Sequence, residues 1–329
     1  MVTDFQALLL EQQDGQTSAS IQRLSQDQLP AGDVLVQVDY SSLNYKDAMA
    51  VTGTGKIVRQ FPMVPGIDLA GTVLESTSPE YQAGDRVILT GWSVGERFWG
   101  GYSQRQRVKA EWLTPMPEGM DSLTAMTLGT AGLTAMLCVM ALQDAGVTSG
   151  DVLVSGASGG VGSVAIQLLA QAGYRVTALT QRPETSGDYL RKLGAADVVG
   201  GPQWNEPPAP LAKQQWHGAV DVLGGNALAR MLSETHYGGA VAACGLASDV
   251  ALHTTVMPFI LRGVRLLGVD SVMCPAQRRT QAWAQLAQHT ANSSQAELQR
   301  VIALSEVPAL AAEMMAGKAH GRVVVDVNR

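Results

Sequence analysis

The 329-residue chain is poor in cysteine: it has three, Cys138, Cys244 and Cys274, widely spaced and with no Cys-x-x-Cys pair. That excludes a four-cysteine zinc cluster and a disulfide framework, and it suits a reducing compartment. There is no secretory apolar segment at the N-terminus, so a cytoplasmic protein is expected, and the Asn292-Ser293-Ser294 glycosylation pattern should carry no meaning. A basic excess is also missing. The net charge of −6 argues against a broad nucleic-acid or anionic-membrane surface. The single long uncharged run, Ser122 to Gln143, has the length of a membrane span, but Asp121 and Asp144 bracket it without basic anchors. Gly129 and Gly132 divide it, and it reads as two buried helices. With 46% hydrophobic and 16% charged residues, the chain is globular and long enough for two domains.

What is present centres on Asp151 to Arg182. A β-branched run, Val152 to Val154, enters the glycines Gly156, Gly159, Gly160 and Gly162; an apolar helical pattern follows, and Arg175 to Thr180 forms a second strand. Glycines between a strand and a helix permit a tight turn, close approach of backbone N–H groups to a pyrophosphate, and a helix N-terminus directed at it. The segment reads as a dinucleotide site, with Ser158, Gly159, Gly160 and Val161 at the phosphates. Gly156-Ala157-Ser158-Gly159-Gly160 also fits the nucleophile elbow of hydrolases, with His217, His236, His253 or His320 as partners, although no upstream His-Gly-Gly-Gly segment accompanies it. A P-loop is excluded because no Gly-Lys-Ser/Thr closes the cluster. At the end of the second strand stand Thr180, Gln181 and Arg182, with no acid before Glu184. A carboxylate there would select NAD, whereas Arg182 can pair with the additional phosphate of NADPH, which is the expected cofactor.

Ahead of this unit the chain reads as β-rich. FQALLLE and DVLVQVDY are strands joined by a polar segment containing Pro30 and Gly32, and Gly84-Asp85 turns into another strand. The glycine- and tryptophan-dense segment Gly91 to Tyr102 reads either as a loop closing over a flat substrate or as aromatics capping a core. After it, Leu190 to Val199 suggests a further helix-strand repeat. Residues 219–225 and 239–246 read as buried strands ending in glycine, Met257 to Asp270 as a short helix and a strand, and Pro275 to His289 as a helix. Cys244 reads as a small core residue.

The ordered set SSLNYKD, PGIDLAGTV, GDRVI, LGTAGLTA, GASGGVG and GRVVVDV resembles the medium-chain dehydrogenase/reductase superfamily along almost the whole chain. Within it, FPMVPGIDLAGTV, LTGWSVGE and TTVMPFILRGVRLLGVDSVM are similar to the zinc-free quinone-oxidoreductase-like branch that includes bacterial NADPH-dependent acrylyl-CoA reductases. The resemblance implies an α/β protein. A GroES-like β-rich catalytic domain over residues 1–125, completed by residues 271–329, would join a Rossmann domain with a doubly wound parallel sheet over residues 126–270, with the site in a cleft between them. It implies that Tyr45, Asn44 and Asp68 are catalytic and that Tyr45, Leu246, Ile260, Ser271 and Arg322 also meet the cofactor. Zinc-dependent relatives carry Cys at the position of Asn44 and His-Glu at Ile67-Asp68, so no metal is expected.

The activity implied is reduction of a small 2-enoyl-CoA, acrylyl-CoA to propanoyl-CoA, in a homodimer. The alternatives are an NADPH-dependent quinone reductase and a non-catalytic NADPH-binding protein. An acyl-CoA needs cations for its phosphates, and Lys56, Arg59, Arg97, Arg105 and Arg107 are available in the N-terminal part.

Overall fold

The computed structural model describes residues 4–291 and 298–329, so Asn292-Ser293-Ser294 lies outside the described residues. In chain order the elements begin with β1 (Asp4–Gln13), β2 (Gln16–Ser25), β3 (Val34–Leu43), α1 (Tyr45–Thr52), β4 (Asp68–Ser76), β5 (Arg86–Thr90), β6 (Arg105–Val108), β7 (Leu113–Pro115) and α2 (Ser122–Asp144). A β-α alternation follows: β8 (Asp151–Val154), α3 (Gly160–Gln171), β9 (Arg175–Leu179), α4 (Pro183–Lys192), β10 (Asp197–Val199), β11 (Trp216–Asp221), α5 (Gly225–Glu234), β12 (Thr235–Ala243), α6 (Met257–Arg262) and β13 (Arg265–Gly268). The tail holds α7 (Ala276–Ala291), β14 (Gln299–Ala303), α8 (Val307–Met315) and β15 (Arg322–Asp326). Two compact units result, one of Met1–Thr130 with Val272–Arg329 and one of Ala131–Ser271.

In the first unit the sheet runs β14-β15-β3-β4-β5-β7, with β6 also paired to β3. Every pairing is antiparallel except β14 with β15. Its core gathers Leu8, Leu10, Val36, Val38, Leu89 and Val325, all buried. The return of the tail is therefore structural: β15 lies against β3, and Val325 pairs with Ser41. One expectation fails here. The polar stretch before Pro30 contains a ten-residue strand, β2, in full register with β1. Asp14 and Gly15 supply its two-residue turn, both at positive φ (52° and 79°), the geometry that matches strand twist in a tight hairpin. β2 is largely exposed and reads QTSASIQRLS, so little apolar alternation marks it.

In the second unit six parallel strands run β10-β9-β8-β11-β12-β13. Counted along the chain this is the order 3-2-1-4-5-6, a doubly wound sheet whose direction reverses between β8 and β11. Ligands of such sheets bind outside the carboxyl ends of the strands at that reversal. The repeat expected over Leu190 to Val199 begins earlier, since α4 starts at Pro183. The long apolar run forms α2, interrupted at Gly129 (φ 52°, ψ −153°) and continuous through Gly132. Its most apolar 18-residue window is 89% buried inside the protein, so it serves as a core helix.

Candidate active site

In the second unit, β8 delivers the chain to a turn that only glycine can complete. Gly156 has φ 54°, and a Cβ there would collide with the Val222 side chain. At Gly162 a Cβ would lie 2.5 Å from the Gly156 carbonyl oxygen and 2.8 Å from the Ala157 Cα, so α3 rests directly on the turn. The first bond of α3 runs from the Ser163 N–H to the Gly159 carbonyl (2.9 Å). The N–H groups of Gly160, Val161 and Gly162 are left directed beyond the helix end, where they suit an anion. The cradle fits a pyrophosphate.

The other residues expected at this site distribute along the same strand ends. The Ala157 N–H donates to the Leu179 carbonyl (3.1 Å), tying the turn to the end of β9. There Thr180 is buried and its Oγ1 accepts from the Arg182 N–H (3.2 Å), while Gln181 and Arg182 are exposed. Leu246, beyond β12, is 65% exposed, and its Cα lies 3.5 Å from where a Gly224 Cβ would stand. Ile260 stands one turn into α6 and is exposed. Ser271 is buried, with Oγ accepting from Thr134 Oγ1 (2.7 Å).

Sequence reasoning missed the brace beneath the turn. Asp221 at the end of β11 is fully buried and accepts from Ser155 Oγ (2.7 Å), Gly224 N–H (2.8 Å) and Leu223 N–H (3.2 Å). Ser155 Oγ in turn accepts from the Val222 N–H (2.9 Å). Burial raises the Asp221 pKa against these donors. An acid closing an apolar strand, as in AVDVLGG, was the available signal. The brace holds the ends of β8 and β11 together where the sheet reverses.

Ser158, half-buried in the turn, makes no hydrogen bond to another described residue. His217 accepts from the Asp151 N–H at the start of β8 (3.1 Å) and stacks on His236 with ring centroids 4.4 Å apart. Both imidazoles thus sit at the other end of the strand from Ser158, away from where a nucleophile would need its base.

In the first unit, Asn44, Asp68 and Arg322 meet in one buried network. Asp68 opens β4 and is fully buried; its carboxylate accepts from Ser42 Oγ (2.5 Å), Asn44 Nδ2 (2.9 Å), Thr130 N–H (2.9 Å) and Thr130 Oγ1 (2.5 Å). Arg322 opens β15 and donates to Asn44 Oδ1 (3.0 Å) and the Thr127 carbonyl (2.8 Å). Gly129 belongs here as well. A Cβ on it would lie 2.6 Å from Asp68 Oδ2 and 2.8 Å from Arg322 Nη2, so the break in α2 is what lets backbone pass over the network.

Asn44 is the N-cap of α1, and Asp47 completes the cap by accepting from the Asn44 N–H (2.9 Å) and Nδ2 (3.1 Å). Asp47 also accepts from the Ile67 N–H (2.9 Å). Burial and then the charge of Asp68 push its carboxyl up to about 7, against the lowering effect of these hydrogen bonds. Tyr45, the first residue of α1, is 52% exposed beside the network.

The Gly91–Tyr102 segment resolves mostly toward the core. Tyr102 is fully buried and donates to the Ser42 carbonyl (3.1 Å), Trp92 and Trp99 pack on the core, and Trp99 donates to the Pro62 carbonyl (3.2 Å). Only Phe98 among its aromatics is largely exposed, at 42%, against Trp112.

Comparison with known proteins agrees with both halves. Residues 30–118 match the alcohol dehydrogenase GroES-like domain, and residues 160–291 match the family described as zinc-binding dehydrogenase. The chain is 54% identical to the probable acrylyl-CoA reductase AcuI of Escherichia coli (strain K12), covering 98% of this chain and 100% of that protein. The chain belongs to the medium-chain dehydrogenase/reductase superfamily. It is 50% identical to the acrylyl-CoA reductase AcuI of Ruegeria pomeroyi over 98% of this chain and 99% of that one. The crystal structure of E. coli K-12 YhdH with bound NADPH superposes with a TM-score of 0.95 at 54% identity, covering 98% of this chain and 100% of that one. In this medium-chain reductase the Asp68 carboxylate is engaged by four donors.

Proposed function

We propose that the protein is an NADPH-dependent reductase that saturates the carbon-carbon double bond of acrylyl-CoA, giving propanoyl-CoA. The observation that carries this reading is whole-length identity of 50–54% with two proteins named for that activity. NADPH, when bound, would supply a hydride to the β-carbon of the enoyl thioester, and a proton from solvent completes the α-carbon. The N–H groups of Gly160 and Val161 and the Ser158 hydroxyl hold its pyrophosphate, and Arg182, with Thr180 and Gln181, holds the phosphate on the ribose. Leu246, Ile260 and Ser271 complete its surroundings.

Tyr45, exposed at the start of α1, donates to the thioester oxygen where negative charge develops. Asn44, fixed by Asp68, Asp47 and Arg322, sets the start of that helix and so the direction of the Tyr45 side chain. The residues act without a metal. The enzyme works in the cytoplasm as a homodimer, joined along the edge of the second unit's sheet at β13.

The test follows NADPH oxidation with acrylyl-CoA, crotonyl-CoA and a benzoquinone in parallel. Highest kcat/KM on acrylyl-CoA is expected. A higher value on the quinone would replace this reading with a quinone reductase, and cofactor binding without turnover of any of the three would make it a binding protein.

A further inference from the structure

A thioester of coenzyme A brings a pyrophosphate and a 3′-phosphate that the site must accommodate. Of the five cations singled out in the N-terminal part, Lys56, Arg59, Arg97, Arg105 and Arg107, two are already engaged: Arg105 donates to Gln26 (3.0 Å) and Arg107 faces Glu75 (3.9 Å). Lys56, Arg59 and Arg97 are exposed, and among the described residues their side chains meet neither a carboxylate nor another hydrogen-bond partner. Two of them are brought together by the backbone. The Arg59 N–H donates to the Glu96 carbonyl (2.9 Å), which sets Arg59 beside the residue that follows Glu96, Arg97.

The carboxylate that adjoins Arg97 in the chain is already neutralised. Glu96 accepts from Lys46 Nζ at 2.7 Å and is largely buried, with 15% of its side chain exposed. Arg59 and Arg97 therefore form a local positive patch on a chain whose net charge is −6. The same ion pair places the patch relative to the chemistry, because Lys46 is the neighbour of Tyr45 on α1. Lys46, Glu96, Arg59 and Arg97 all lie in the first unit, with Tyr45.

The loop bearing Arg97 is held in an unfavourable conformation. Trp92 and Ser93 both adopt positive φ (55° and 59°), rare for residues with side chains, and such backbone persists only where the surroundings over-determine it. Three ties hold it: the Trp92 N–H donates to the Val272 carbonyl (2.9 Å), the Arg279 guanidinium stacks 5.1 Å from the Trp92 ring, and Trp99 Nε1 bonds the Pro62 carbonyl (3.2 Å). The last, with Arg59 N–H to Glu96, fixes the 53–62 and 91–99 segments to each other. The segment that carries Arg97 is thus held in one conformation beside two exposed guanidinium groups, and strained backbone of this kind clusters at ligand clamps.

We propose that Arg59 and Arg97 form the subsite that binds the phosphates of the coenzyme A moiety, with Lys56 adding charge at its margin. The planar guanidinium forks suit phosphate oxygens, and two of them on neighbouring segments can meet a pyrophosphate together. This rests on the acyl-CoA reading, and it assigns the selectivity of that site for the carrier over a bare thioester.

The test compares acrylyl-CoA with acrylyl-pantetheine, which has the same thioester and no phosphate, on the wild-type enzyme and on the double variant Arg59→Ala, Arg97→Ala. In the variant the KM for acrylyl-CoA should rise about ten- to a hundred-fold, as loss of charged hydrogen bonds predicts. The KM for acrylyl-pantetheine, the KM for NADPH and kcat at saturation should stay within about two-fold. The double variant Arg59→Lys, Arg97→Lys should recover part of the loss, which a folding defect would not allow. An unchanged KM for acrylyl-CoA in the alanine variant, or equal KM values for the two thioesters in wild type, overturns the subsite while leaving the reductase. Turnover of neither thioester by wild type removes both.

Discussion

Asp47 shows how a single buried carboxyl can make this fold sensitive to pH. Its ordinary aqueous value is 3.8, and burial beside Asp68 raises it to about 7. Between those values the folded protein holds a proton that the unfolded chain has lost. The stability this group contributes is therefore fully present below the unfolded value and is lost as pH rises through about 7. The denaturant midpoint of the wild type should fall between pH 5 and pH 8, and Asp47→Asn should flatten that slope even if its lost hydrogen bonds lower the midpoint throughout. Parallel slopes would move the titration elsewhere. Arg182 is testable on the same scale. Removing the guanidinium with Arg182→Ala should raise the KM for NADPH by about one to two decades, from loss of roughly 1.5–3 kcal/mol, and leave the KM for NADH nearly unchanged. Equal effects on both cofactors would assign Arg182 to the solvent surface.

At the scale of elements, the β8-α3 turn is decided by how closely α3 is seated on it. With the Gly162 Cβ position 2.5 Å from the Gly156 carbonyl, Gly162→Ala must lift α3 away from the turn and draw the Gly160 and Val161 N–H groups off the phosphates. NADPH affinity should weaken at least ten-fold in a fluorescence titration, whereas Ser158→Ala, which deletes at most one hydrogen bond, should cost only a few-fold. A larger loss at Ser158 than at Gly162 would mean that the hydroxyl, not the helix seat, governs binding. This element was legible in the sequence because the glycines, β-branched runs and Arg that mark it lie within about thirty residues of one another. Asn44, Asp68 and Arg322 were reached only through family resemblance. Their partner Thr130, 62 positions from Asp68, carries no local sign of its role, and neither does Ser155, 66 positions from Asp221. The strand β2 escaped for a different reason: with only one of its ten residues buried, it has no hydrophobic period to read.

For the whole molecule the open question is how many chains make the enzyme, and the sheet of the second unit bears on it. β10 and β13 end that sheet, and β13 is its apolar edge: Leu266 is 38% exposed, and Leu261 and Val256 on the approach to it are 54% and 65% exposed. An unpaired edge with exposed leucines is a template for further pairing, and natural proteins cover such edges, twist them away or charge them. Here Arg265 is the one charge in the strand, and it is turned to the Gly238 carbonyl (2.6 Å), so it does not guard the edge. Pairing β13 with the same strand of a second copy about a two-fold axis satisfies both edges at once and buries the leucines of each protomer against the other. A specific dimer interface covers roughly 1,200–2,000 Å² in total, more than one four-residue strand supplies, so the exposed face of α6 must take part. Sedimentation equilibrium should give twice the chain mass for the wild type at micromolar concentration. Leu261→Asp with Leu266→Asp should return the mass of a single chain, because each places an unpaired carboxylate in the buried part of the interface. A double variant that still sediments as a dimer would place the subunit contact on another surface.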